Sequence, residues 1–176
     1  MHKLLFPLLI LLGLSLSNLA HAQSLSAVDA GSCNKMQNSS APFILVLKHG
    51  EEVGSSITHC MKQANISSAY LTGLGMLENP TLGYFNMKSK QYQYKKFPGR
   101  YELLSLQGNI TQMNSKPFAH IHVTLSNERY NAFGGHLKDA NVGATAEIMV
   151  IPFTASIQRK FDPITGANLI ATSKND

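Results

Sequence analysis

Hydrophobic and polar positions change period several times along this chain, and each change marks an element. Phe43 to Leu47 is a continuous apolar run of strand length, which places it in the body of a sheet. Val53, Ile57, Cys60, Met61 and Ala64 then recur at helical spacing, so residues 53–64 predict an amphipathic helix packed on that sheet. From Ser67 onward the period falls to two. Strands are predicted over 69–77, 81–87, 91–97, 101–110, 118–126, 130–137 and 144–151, with one more over 156–161. Turn chemistry separates them: Asn79-Pro80, Lys88 to Lys90, Pro98-Gly99, Asn114 to Pro117, a loop over 139–143, and Asp162 to Gly166. No internal repeat is present. The pattern implies an α+β domain with a mainly antiparallel sheet of short strands and one main helix.

The most informative stretch runs from Phe118 to His136. His120 and His122 sit two apart in an alternating run, so on a strand both imidazoles leave one face while Ile121, Val123 and Leu125 leave the other. The polar turn Asn127-Glu128-Arg129 lets the chain double back and bring His136 toward the pair. Gly134 and Gly135 would permit a bulge, a positive φ or a close backbone approach just before His136. Three neutral imidazoles from two adjacent strands suit a zinc-like divalent cation, at about 2.0 to 2.1 Å with one position left open. The alternative is a merely polar, solvent-facing strand face.

Composition changes the picture at the N-terminus. Met1-His-Lys3, an apolar run from Leu4 to Leu16 and Ala20-His21-Ala22 have the three-part form of a secretory signal, so cleavage is expected after Ala22. The apolar run is shorter than a spanning helix needs, no cysteine follows it for lipid attachment, and no membrane anchor is expected after cleavage. Residues 23–41, rich in Ser, Ala, Asn and Gly, are expected to be a flexible arm, and 42–176 the domain. The chain holds two cysteines, Cys33 and Cys60. In a periplasmic or secreted protein a bridge between them is expected, the alternative being two buried thiols that never meet. A net charge of +5 is modest, more a solubility feature than a nucleic-acid footprint.

With these residues in view the chain resembles the plants-and-prokaryotes conserved (PPC) domain family over about Pro42 to Ile170. The carriers are Gly50-Glu51, Thr72-Gly-Leu-Gly75, Thr81-Leu-Gly-Tyr84, Gly99-Arg-Tyr-Glu-Leu-Leu-Ser-Leu106 with Gly108-Asn-Ile110, His120-Ile-His122-Val-Thr-Leu125, Gly134-Gly-His136-Leu137 and Thr145-Ala-Glu147. The resemblance implies an α+β fold assembled as a homotrimer and, in bacterial-type members, a three-histidine metal unit that falls here on His120, His122 and His136. Aromatic residues of a half-exposed strand, Tyr92, Tyr94 and Phe97, are surface that such an assembly would cover. Relatives are also described as DNA-binding. This chain has no Arg-Gly-Arg-Pro hook for an A·T minor groove, and an exported protein meets no chromosome, so nucleic acid is not expected as a partner.

Two functions compete. In the first, the exported protein binds a divalent metal, zinc above all, and acts on an unknown small-molecule ligand by metal-assisted hydrolysis or lyase chemistry. Glu147 is then the candidate base and Glu102 the runner-up, either of which could equally pair with Arg100 or orient a histidine. In the second, the protein is a non-catalytic trimeric binding or assembly module. Gly-x-Ser-x-Gly, Walker and Rossmann signatures are absent, so nothing supports a serine nucleophile or a nucleotide cofactor. His49 and His59 fall outside the cluster.

Overall fold

The computed structural model describes residues 26–172. The expected signal and its cleavage site lie outside the described residues. The α+β reading holds. A seven-stranded sheet runs in the order β1 (Ser26–Asp29), β2 (Phe43–Lys48), β7 (Ala132–Pro152), β6 (Lys116–Ser126), β5 (Arg100–Met113), β3 (Ala69–Asn86) and β4 (Gln91–Lys96). β1 lies parallel to β2, and the other pairs are antiparallel. Because β7 also pairs with β3, the strands β3, β5, β6 and β7 close into a ring.

The helix α1 (Val53–Gln63) covers this sheet with Val53, Ile57, Cys60 and Met61 buried, as its spacing requires. Glu52 caps its start, accepting from the backbone N–H of Gly54 and Ser55 at 3.1 and 2.6 Å. Asn65, at φ 54°, ends it in the left-handed region. Beneath the helix, Phe43, Leu45 and Leu47 of β2 and Ile121, Val123 and Leu125 of β6 form part of one core with Leu71, Leu106, Ile110 and Ile148.

Three expectations need correction. The stretch read as a flexible arm carries β1 and a 3-10 segment, Ala30–Met36, whose Cys33 is fully buried. Cys33 is bridged to Cys60 of α1, with Cα atoms 5.2 Å apart, and Lys48 pairs with Asp29 at 3.1 Å. Polar composition hid an edge strand whose order comes from a covalent tie and from neighbours. The break expected at Asn79-Pro80 is a register shift inside one long strand, β3. Asn79, at φ 52°, bulges the strand, and its Oδ1 accepts from the Gly99 N–H at 2.9 Å. Likewise the loop expected over 139–143 is strand: Asn141 and Val142 face Glu78 and Leu77. β7 is long because it changes partners, pairing with β6 at its start, with β3 through most of its length, and with β2 near its end.

The tail adds a two-stranded hairpin, β8 (Arg159–Asp162) and β9 (Ala167–Ile170), around the expected turn at Asp162 to Gly166. Gly166 occupies φ 77° and donates to the Asp162 carbonyl at 2.7 Å. The hairpin is fastened to the sheet at its root, where the Gln112 N–H donates to Ile157 and the Ile157 N–H to Ser68 Oγ, each at 2.8 Å.

Candidate metal centre

His120 and His122 leave the outer face of β6, and His122 lies directly opposite His136 of β7. Strand alternation does the sorting: Ile121 and Val123 are buried while His122 and Thr124 are exposed. The glycine pair acts through close approach. Gly134 sits so near the Val123 carbonyl that a Cβ there would collide with it, and a Cβ on Gly135 would lie 3.1 Å from the Gly83 carbonyl oxygen. Neither glycine takes a positive φ. Their bare backbones let β7 pass between β6 and β3 just before His136.

The three rings converge. Their centroids are 5.1 Å apart for His120 and His122, 5.3 Å for His120 and His136, and 5.5 Å for His122 and His136. One nitrogen from each lies within 4.8 Å of the others, close enough for a modest closure onto one cation. His136 Nδ1 is buried with no hydrogen-bond partner. A buried ring nitrogen without a partner is costly, and in the tautomer that leaves its lone pair free a cation would satisfy it. Tyr92 of β4 stacks on the His136 ring at 4.6 Å and walls off that side.

Electrostatics favour ligand-ready rings. Burial, then His120 and His122, push His136 down to about 4. Burial, then the Arg159 guanidinium and His122, push His120 below its ordinary value. Both rings are therefore neutral at pH 7, the form that coordinates. A set of three imidazoles suits zinc and leaves room for a further ligand.

The two candidate carboxylates sit elsewhere on the sheet. Glu102 faces Ser126 across β5 and β6, four residues beyond His122, about 13 Å along the strand. Glu147 faces Val46 and Leu74. Its neighbour Met149 begins a row across the sheet through Thr72 and Gln107 to His122, three strand spacings or roughly 14 Å away. Glu147 lines a shallow cleft of about 370 Å³ together with Ile44, Leu74, Leu104 and Met149. Arg100, weighed as a partner for either, pairs with Glu78 at 3.2 Å. The aromatic strand β4 lies at the sheet edge, half-exposed as expected; Tyr92 covers His136, and Phe97 stacks on Phe133 at 4.6 Å, which leaves Tyr94 the more open ring. His49 bonds the Gly143 carbonyl through Nδ1 at 3.0 Å, and His59 borders a cleft with Ala30 and Ser55.

Pattern reading missed Arg159. Its guanidinium lies beside His120, with Nη2 3.3 Å from His120 Nδ1. A lone arginine in a tail carries no periodic signal, and the contact spans 39 residues.

The Plants and Prokaryotes Conserved (PCC) domain matches residues 34–154. The chain belongs to this family. Among solved structures it is similar to a plant- and prokaryote-conserved (PPC) protein from Pyrococcus horikoshii, with 35% identity over 75% of this chain and 92% of that one and a TM-score of 0.71. It is similar as well to a metal-containing protein from Archaeoglobus fulgidus, with 31% identity over 75% and 94% of the two chains and a TM-score of 0.70. A third likeness is to a Bacteroides thetaiotaomicron protein whose name proposes DNA binding, with 30% identity, coverage of 74% and 91%, and a TM-score of 0.71. No curated protein matches the chain.

Proposed function

We propose that this PCC-domain protein is exported and binds one zinc-like divalent cation through His120, His122 and His136. The observation that carries this reading is the convergence of one nitrogen from each of three imidazoles within 4.8 Å. A relative from Archaeoglobus fulgidus is named as metal-containing. Export is supported by the Cys33–Cys60 bridge, which suits an oxidising compartment. Among the described residues no helix is long and apolar enough to cross a membrane.

A bound zinc supplies a Lewis acid and can lower the pKa of a water toward 7. The chain's own residues do the rest: β6 and β7 fix the imidazoles, burial keeps two of them neutral, and Tyr92 shields one side. Glu102 and Glu147 stand too far along the sheet to take a proton at the histidines without rearrangement. Binding of a small-molecule ligand at the open side of the cation is therefore better supported than hydrolysis or lyase chemistry. Assembly as a trimer is a second part of the reading. Leu74 and Leu104, 56% and 54% exposed, stand on neighbouring strands of the outer face and would be covered by another copy.

The test is zinc content after dialysis. The parent should retain about one zinc per chain, and the single variants His120→Ala, His122→Ala and His136→Ala should each lose most of it. His49→Ala and His59→Ala should retain it. Equal retention by the parent and all three site variants would refute the reading.

A further inference from the structure

The tail hairpin β8–β9 lies beyond the stretch that matches the family, residues 34–154, yet it delivers a buried cation to the histidines. Arg159 is 8% exposed. Its Nε donates to Thr111 Oγ1, Nη1 to the Asn168 carbonyl and Nη2 to Asn109 Oδ1, each at 2.8 Å. Phe118 lies beneath the guanidinium, 5.1 Å from the ring centroid. Another Nη2 hydrogen faces His120 Nδ1 at 3.3 Å. A metal-bound histidine ordinarily turns its second nitrogen, as an N–H, toward an acceptor such as a carboxylate or carbonyl. Here the neighbour is a pure donor.

A guanidinium keeps its protons in proteins and offers no acceptor, so His120 Nδ1 has to supply a lone pair to this contact. A neutral imidazole has one N–H and one lone pair, which puts the His120 proton on Nε2. Coordination needs that same lone pair. If Nδ1 takes the cation, Arg159 loses its acceptor. If Nε2 takes it, the proton moves to Nδ1 and two N–H groups face each other. No proton is gained or lost overall in either case. The Arg159–His120 hydrogen bond and coordination by a neutral His120 exclude each other.

We propose that Arg159 is a positioning residue of the metal centre, an internal competitor that holds His120 by its Nδ1 lone pair and must let go before His120 can bind a cation. The histidine trio is thereby put under the control of a segment outside the matched domain. Arg159 has three other bonds to keep it in place, so release requires His120 to turn or the hairpin to shift. Where the hairpin is what shifts, loading the site loosens it, and loosening it favours loading. This inference rests on the metal reading above.

Two measurements test it on the full chain. In the metal-free parent, nitrogen-15 spectra of the histidine rings should show the His120 proton on Nε2; a proton on Nδ1 would overturn the proposal without touching the metal reading. Competition titrations with zinc should then give Arg159→Met an affinity about tenfold above the parent, the lower end of what changes around a metal ligand produce. Arg159→Lys, which restores a donor, should fall back toward the parent. Equal or weaker binding by Arg159→Met, with the parent holding one zinc, overturns the competitor role alone. Failure of every chain to bind zinc removes the metal reading and this inference together. Because Arg159→Met leaves Thr111 and Asn109 without their donor, the spectra of the parent keep the test decisive if that variant does not fold.

Discussion

Ile121, Val123 and Leu125 leave one side of β6, and His120, His122 and Thr124 leave the other. On the inner side the residues are buried against α1 and the sheet, in a packed core where shape and volume decide. On the outer side the same strand carries two imidazoles in line with a third from β7, where lone pairs and charge decide. One backbone thus serves two separable tasks. Changes on the inner face should alter stability and spare the ligand set, and changes on the outer face should do the reverse.

The largest effect is expected from Ile121→Ala. Ile121 is 3% exposed, and truncating such a side chain leaves a cavity worth about 2–5 kcal/mol in urea unfolding. Zinc bound per folded chain should stay at the parent level; loss of zinc in the folded fraction would show that the two faces are not independent. Next comes the bridge that fixes α1 over the inner face. Replacing Cys33 and Cys60 together by Ala opens a loop with a sequence separation of 27, which costs about 3.5 kcal/mol in the chain-entropy model. A midpoint unchanged from the oxidised parent would mean that β1 and the 3-10 segment are held by other contacts.

Protons give the gentlest probe of the outer face. His136 is held near 4 in the folded chain against an ordinary value of 6.5. Between those values the unfolded chain binds the proton and the folded one does not, so unfolding is favoured as pH falls. Stability of the metal-free protein should be full above about 6.5 and decline toward pH 4. The ring is only half-buried, so solvent screening keeps the loss small. In His136→Ala this decline should shrink, and an unaltered pH profile would place the proton uptake elsewhere.

The histidine trio was legible in the sequence because strand period fixes a face: two positions on one strand and a hairpin turn suffice to bring three rings together. The α1 helix was legible for the same reason, and the Cys33–Cys60 bridge from the scarcity of cysteine in a chain whose first residues read as an export signal. Elements that depend on partners distant in sequence were not. Asn79-Pro80 has the composition of a turn, but Gly99 across the sheet supplies the hydrogen bond that turns it into a bulge. The 139–143 stretch becomes strand because β3 is there to pair with it. Arg159 and Tyr92 complete the site through tertiary contacts alone, and a single polar residue or an alternating aromatic strand does not announce what it will touch.

The central claim is that His120, His122 and His136 hold one cation together. X-ray absorption at the zinc edge, on protein loaded with one equivalent of zinc, tests it most directly. The parent should show three imidazole nitrogens at about 2.0 to 2.1 Å and one further oxygen or nitrogen ligand completing the set, with one imidazole fewer, or no bound zinc, in His136→Ala. A spectrum with fewer than three imidazoles in the parent, or one identical in the variant lacking all three histidines, would contradict it.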